Sequence, residues 1–410
     1  MAERIAGKEL VHGTGRRCAS MLHSPMPETD FDFDFVPERR GTGSIKWDRY
    51  PDYTPFWVAD MDFASPNCVV EELHRRVDHG IFGYAHAHEG LNEAIKGYLA
   101  RVHGASVGTE EIVHLPGLVP ALSLACRAWV KPGEEVMINS PVYYPFFKVS
   151  QDAEAKLIDV PHTRDTTWRF DWEAMERAVT PQTRLLILCN PQNPLGRVFS
   201  REEIEKLANF CEEHDLVLIS DEIHCDLILE PDQTHFSALR LPDSLQKRIV
   251  TLLAPSKTYN IAGLGYSLAV IRDTELRGQF NAARGCTLPE INALAMYAAE
   301  AAYREGEPWR RDLIDYLREN RDILANFTRQ ELPELKIYEH ASTYLYWIDA
   351  SSLEPDNPCR FFAKEGGVFL TDGTPFGSSQ HVRFNFGCPR SLMMTGLEGM
   401  KRALETHRAK

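Results

Sequence analysis

The sequence predicts an α/β fold, in which a mostly parallel sheet is covered on both faces by helices and joined to a smaller α+β lobe. Three observations predict it. Between about residues 66 and 290, short apolar runs lack the alternation of a half-wetted strand, as strands buried on both faces do. Segments of helical periodicity separate those runs, which is the rhythm of βα units around a parallel sheet. After about residue 290 the pattern changes to two long helices followed by alternating strands.

Taken in order, residues 1–30 are polar and aperiodic and read as a flexible N-terminal arm. "FDFDF" (Phe31 to Phe35) alternates like a strand that Pro37 stops early, and residues 31–65 are assigned to the N-terminal part of the small domain. "NCVVEELHRRVDHG" predicts a helix ended by Gly80, and "GLNEAIKGYLARVHG" another ended by Gly104. "PALSLACRAWV" predicts a third, with Pro120 at its first helical position. "EEVMINS", "RLLILCN", "LVLISDE", "IVTLLA" and "YSLAVI" read as five buried strands. Ser200 and Glu203 give "SREEIEKLANFCEEHD" the signature of a capping box. "INALAMYAAEAAYREG" and "WRRDLIDYLRENRDILANFTRQ" are the long helices; "LKIYEH", "STYLYWIDA" and "HVRFNFG" are the strands of the smaller lobe. Residues 66–290 thus form the large domain and 291–410 the C-terminal small domain.

Bulk composition narrows the function classes. At 410 residues the chain exceeds the usual size of one domain. A net charge of −14 with no basic block gives no electrostatic footprint for nucleic acid or an anionic membrane. Nine scattered cysteines, an odd number without CxxC spacing, suit reduced thiols in a cytoplasmic protein better than a disulfide framework. No charged start followed by an apolar stretch resembles a signal peptide. No apolar run approaches the roughly 18 residues of a membrane span.

In open α/β sheets, ligands bind beyond the carboxyl ends of the strands, so the residues just past each strand matter most. After "RLLILC" comes Asn190-Pro191-Gln192-Asn193-Pro194-Leu195-Gly196. After "LVLIS" comes Asp221-Glu222-Ile223-His224. After "IVTLLA" comes Pro255-Ser256-Lys257, and after "EEVMIN" comes Ser140-Pro141-Val142-Tyr143. Pro116-Gly117-Leu118-Val119 leads into the helix at Pro120. Each is unremarkable alone: a turn, an N-cap, a solvated lysine. Together they match one chemistry. A lysine amine forms a Schiff base with an aldehyde cofactor. An aspartate keeps a pyridine nitrogen protonated. An amide reaches the ring's phenolate oxygen, and an aromatic side chain stacks on the ring. A glycine turn into a helix N-terminus offers N–H groups to a phosphate.

These stretches resemble the class I/II, fold type I, pyridoxal 5′-phosphate (PLP)-dependent aminotransferase superfamily. Within it they resemble the C–S β-lyase branch (cystathionine β-lyases and cysteine-S-conjugate lyases). "FWVADMDF", "GIFGYAHAHEGLNEAI", "LPGLVPALSLA", "SPVYYPFF", "NPQNPLGRVF", "SDEIHCDL", "PSKTYNIAGLG" and "HVRFNFGCPR" carry the resemblance from about Phe31 to the C-terminus. It implies a seven-stranded, mostly parallel sheet in the large domain, PLP as cofactor, and an amino acid as substrate. It also implies a homodimer whose active sites are shared between subunits. Lys257 would hold the cofactor and move the Cα proton. Asp221 would pair with the pyridinium nitrogen, Asn193 and His224 would lie at the phenolate oxygen, and Tyr143 would stack on the ring. The amides of Gly117, Leu118 and Val119, with Ser256, would hold the phosphate, and Tyr84 would reach the phosphate of the neighbouring subunit. Arg383 would bind the α-carboxylate as a fork, with Asp60 and Tyr143 beside the substrate. Departures from the family pattern are Gly265, where many relatives carry a phosphate-binding arginine, Ala254, where many carry a serine, and Leu195 within the Asn-Pro motif. The activity implied is cleavage of L-cystathionine or an L-cysteine S-conjugate to a thiol, pyruvate and ammonia; the alternative is an aminotransferase.

Other clusters read more plainly. His79, His86 and His88 crowd one loop without a known metal-ligand spacing, and are expected to line a substrate entrance. No metal is expected. Asp60 and Asp62 read as loop-orienting residues rather than an acid–base pair. Arg39 and Arg40 lack the motif that supports Arg383. Cys225 directly follows His224, so the two side chains should point to opposite faces.

Overall fold

The structure, a computed structural model, describes residues 31–286, 288–353 and 357–409. The expected N-terminal arm over 1–30 lies outside the described residues.

Seven strands form the main sheet: β1 (Ile112–Leu115), β2 (Glu135–Ile138), β3 (Lys156–Asp159), β4 (Thr183–Cys189), β5 (Val217–Asp221), β6 (Ile249–Leu253) and β7 (Ser267–Val270). Their spatial order is β1-β7-β6-β5-β4-β2-β3, and β7 alone runs antiparallel to its neighbours. Both faces are buried, as the unalternating apolar runs require. On β4, Leu185, Ile187 and Cys189 join one apolar layer, while Leu186 and Leu188 join the other.

The helices that matter to the site are α1 (Asn67–His79), α2 (Glu89–His103), α3 (Leu118–Trp129), α4 (Arg201–Glu213), α5 (Ala293–Glu305), α6 (Glu307–Glu331) and α7 (Arg390–Arg408). Gly80 and Gly104 end α1 and α2 in the left-handed conformation, as expected. Ser200 and Glu203 form the capping box that opens α4. Helix α3 begins at Leu118, so Pro120 occupies the third helical position rather than the first. Its missing N–H still falls among the orphan donors of the first turn.

A second sheet is built from β8 (Lys336–Ile337), β9 (Leu345–Asp349), β10 (Thr371–Asp372) and β11 (His381–Asn385), in the order β8-β9-β11-β10. "FDFDF" does not form a strand; the chain turns there. Its alternation instead buries one ring, Phe33, against Phe63, Trp309 and Tyr316 at centroid distances of 5.1, 5.5 and 5.5 Å. Asp32 and Asp34 on either side stay exposed. Two strands of the main sheet escaped the sequence reading, β1 and β3, as did the two-residue β10 of the second sheet. His114 interrupts the apolar run of β1, and edge strand β3 is bounded by exposed Lys156 and Asp159.

Candidate active site

A cavity of about 300 Å³ opens where the main sheet's strands end. Gly117, Leu118, Val119, Tyr143, Asn193, Asp221, His224, Ser256 and Lys257, all expected from the sequence, line it. The gathering follows from topology. Asp221 is the last residue of β5, Asn193 lies four residues beyond β4, and Lys257 lies four beyond β6. Parallel strands point these ends to one side.

Gly117 turns the chain into α3 with φ 127° and ψ 158°, a conformation that disfavours any residue with a Cβ. The turn brings the first residues of the helix, whose N–H groups have no partner within the helix, to the cavity wall. Lys257 donates from Nζ to the Ala59 carbonyl at 2.7 Å. Burial first, then the nearby Arg383 charge, pull its ammonium down to about 8, so an appreciable share is free amine near neutrality. Asp221 is buried and accepts the Ile223 N–H at 3.1 Å. Burial pushes its carboxyl up to about 7, and neighbouring Glu222 adds to the rise. Among the described residues it forms no ion pair. His224 is buried, burial holds its pKa well below the ordinary imidazole range, and its Nδ1 has no hydrogen-bond partner.

Arg383, on β11, is the mirror case. It donates to Asn193 Oδ1 at 3.0 Å, to the Trp57 carbonyl at 3.1 Å and to Thr371 Oγ1 at 3.3 Å, while its Nε is unpartnered. Among the described residues no carboxylate faces it, and burial pulls its guanidinium down to about 10. The cavity therefore holds a buried acid that touches no cation, with only the Lys257 charge near enough to oppose its rise, and beside it lies a buried guanidinium that touches no carboxylate.

The loop over residues 57–63 is held from several directions. Asp62 bonds Arg39 at 2.5 Å, Lys46 at 2.6 Å and Trp47 at 2.8 Å. Asp60 pairs with Arg39 at 2.7 Å and lies 3.7 Å from Lys46. Asn260 ties the turn after Lys257 to the carbonyls of Met61 and Phe63 at 3.0 and 2.7 Å. Asp60 and Asp62 thus orient the loop that presents Ala59 to Lys257. Asp60 also lines a neighbouring cavity that Lys257 borders.

Some candidates lie elsewhere. Tyr84 is fully exposed, outside the cavity of its own chain. His88 caps α2 through Leu91 N–H and stacks on Tyr297 at 4.6 Å; His86 borders a separate pocket beside His114. The crowded histidines gather no metal-ligand cluster among the described residues. Arg40 is exposed and bonds the Pro51 carbonyl. Cys225 is buried on the side of Tyr98, away from the cavity that His224 lines. Sequence reasoning missed Ile223, Cys189, Ala59 and Tyr266 in the lining. Ile223 could have been found, two residues beyond Asp221. Tyr266 could not, since its hydroxyl is bound to His114 at 2.7 Å across the sheet.

Comparison with known proteins agrees with this geometry. The model of the aminotransferase class I and II family matches residues 51–399. Cystathionine β-lyase PatB of Bacillus subtilis (strain 168) is 39% identical over 386 residues, covering 91% of this chain and all of that one. The crystal structure of OvoB superposes with TM-score 0.88 at 40% identity, covering 91% of this chain and 99% of that one. A PLP-bound C–S lyase from Staphylococcus hominis superposes with TM-score 0.87 at 31% identity, covering 92% and 99%. With the motifs that follow its parallel strands gathered in one cavity and its length matched almost end to end, the chain belongs to the class I and II aminotransferase family.

Proposed function

We propose that the chain is a PLP-dependent C–S β-lyase that cleaves L-cystathionine or another L-cysteine S-conjugate to a thiol, pyruvate and ammonia. Buried Asp221 and buried Arg383, neither of them in an ion pair among the described residues, carry the reading. A ligand bearing a ring N–H⁺ and a carboxylate would satisfy Asp221 and Arg383 together. End-to-end likeness to a named cystathionine β-lyase supports it.

The residues fit PLP. Buried Asp221 suits a pyridine N–H⁺, and the unpartnered Nδ1 of His224 and the amide of Asn193 suit the phenolate oxygen. Tyr143 offers an aromatic face. Gly117, Leu118, Val119 and Ser256 suit the phosphate, the place of the missing arginine being Gly265. When bound, PLP supplies the aldehyde that captures the substrate amine and the ring that accepts an electron pair from Cα. This chain's residues do the rest. Arg383 holds the α-carboxylate as a two-pronged donor. Lys257, poised as a partly free amine, takes the Cα proton. Asp221 keeps the proton on the ring nitrogen, so that electron withdrawal persists. The electron pair left at Cα expels the sulfur at Cβ.

We further place the enzyme in the cytoplasm as a homodimer with shared sites. Support for the dimer comes from the loop between α1 and α2, where Ile81, Phe82 and Tyr84 are 68%, 63% and 104% exposed. No helix among the described residues is long and apolar enough to cross a membrane.

The test is turnover without a keto acid. Purified PLP-loaded enzyme is mixed with L-cystathionine or an S-alkyl-L-cysteine, and pyruvate and free thiol are followed. Sustained, equimolar release is expected. Turnover that stops after one equivalent and resumes only with a keto acid would make the chain an aminotransferase.

A further inference from the structure

Beneath the site, on the side away from the cavity, lies a buried polar cluster that none of the roles above uses. Its hub is Tyr98 of α2. The Tyr98 hydroxyl donates to Asp226 Oδ1 at 2.7 Å and lies 2.9 Å from His103 Nε2 and 3.6 Å from Cys225 Sγ. The other oxygen of Asp226 accepts the Thr258 hydroxyl at 3.1 Å. Arg310 of α6 donates to the Asp226 carbonyl at 3.0 Å. Tyr98, His103, Cys225, Asp226 and Thr258 are all buried.

His103, Cys225 and Asp226 have the chemistry of metal ligands, and their donor atoms lie close together. The Tyr98 hydroxyl is within hydrogen-bonding reach of all three, so it fills the space an ion would take. The cluster is a hydroxyl-centred hydrogen-bond network.

Its placement is what matters. Thr258 directly follows Lys257, and Cys225-Asp226 directly follow His224. Each pair divides its work, one residue toward the cavity and the next into the network. Asp226 is the tie between them: one oxygen holds the turn that carries Lys257, and the other holds α2. Lys257 comes from the loop beyond β6 and His224 from the loop beyond β5, and the Thr258–Asp226 bond links these two loops.

We propose that Tyr98, Asp226 and Thr258 are positioning residues that fix Lys257 relative to His224 and so to the cofactor ring. The proposal rests on the reading of Lys257 as the catalytic amine. A buried tie of this kind acts on geometry. Small misplacement of a reacting group weakens turnover strongly, on the order of a hundredfold for 1 Å, while groups that bind the substrate carboxylate are untouched.

The test uses the PLP-loaded enzyme with Thr258→Val, Thr258→Ser and Tyr98→Phe. Two quantities are read: kcat and KM on L-cystathionine, and the pH midpoint of the bound cofactor's visible absorbance. Thr258→Val removes the hydroxyl at nearly constant shape. It is expected to lower kcat by roughly tenfold or more, with KM little changed, and to move the absorbance midpoint. Thr258→Ser restores both, and Tyr98→Phe acts in the same direction as Thr258→Val. If Thr258→Val folds and keeps parental kcat and midpoint, the proposal is overturned, whatever its thermal stability. Should the parent turn over neither L-cystathionine nor an S-alkyl-L-cysteine, the proposed function fails on its own. The absorbance midpoints of Thr258→Val and Thr258→Ser then still decide the network.

Discussion

Asp221 has a consequence for stability whose sign is fixed by its burial. Its carboxyl sits at about 7, against about 3.9 in an unfolded chain. Below about pH 4 the group is protonated in both states and contributes nothing. Between about pH 4 and pH 7 the unfolded chain has lost a proton that the folded chain still holds, so rising pH favours unfolding. The conversion of 1.36 kcal/mol per pKa unit puts the full effect on the order of 4 kcal/mol. In cofactor-free protein, Asp221→Asn should therefore unfold with a free energy that gains on the parent as pH rises through this window. Chemical denaturation at a series of pH values measures it, and parallel curves would mean that the folded chain does not strain to ionise Asp221. Loading with PLP should reverse the trend in the parent, because a ring N–H⁺ would give Asp221 an ion-pair partner in direct contact. Arg383 carries the complementary expectation. Arg383→Lys keeps a charge but loses the planar fork, so KM for L-cystathionine should rise by about tenfold or more, with a smaller change in kcat. A variant with unchanged KM would remove Arg383 from the carboxylate site.

At the scale of elements, the turn into α3 joins backbone conformation to cofactor affinity. Gly117 holds φ 127°, and an alanine held there would carry about 1–3 kcal/mol of strain. Relief by moving the turn would tilt the helix's free N–H groups away from the phosphate. Gly117→Ala is thus expected to raise the PLP dissociation constant about ten- to hundredfold, measured by fluorescence titration of cofactor-free protein. A lowered melting temperature with unchanged affinity would confine the role of Gly117 to folding. The same scale shows what the sequence makes legible. Strands β2, β4, β5, β6 and β7 are buried, mostly apolar runs without alternation, and the residues past the parallel ones were readable because parallel topology sends those ends to one place. Strand β1 hides because His114 answers to Asn92 and Tyr266, which are distant in sequence. Strand β3 hides because an edge strand meets water. "FDFDF" misleads because a strand needs a partner ladder, whereas one buried ring needs only a socket of Phe63, Trp309 and Tyr316. The network around Tyr98 was illegible for the same reason: Tyr98 and Asp226 are 128 residues apart and meet only through the fold.

For the whole molecule, the exposed loop between α1 and α2 leads to a prediction about subunits. Large apolar side chains exposed in a row are poorly matched to water, and Tyr84 lies outside the cavity of its own chain. Phe82→Glu should convert a dimer to a monomer in light scattering coupled to size exclusion, because burying an unpaired charge opposes association. Shared sites make a stricter demand. Let Lys257→Ala and Tyr84→Ala be purified separately, each with little turnover, then mixed and allowed to exchange subunits. In a two-fold dimer, one site of each mixed pair receives both substitutions and the other receives neither. Random exchange puts half of the dimers in the mixed form, so activity should recover to about a quarter of the parent's. If Tyr84 served only its own chain, every mixed dimer would have two damaged sites and mixing would restore nothing. Recovery would assign Tyr84 to the partner's site and explain why the phosphate end can dispense with an arginine at Gly265, since part of its grip would arrive from the second subunit.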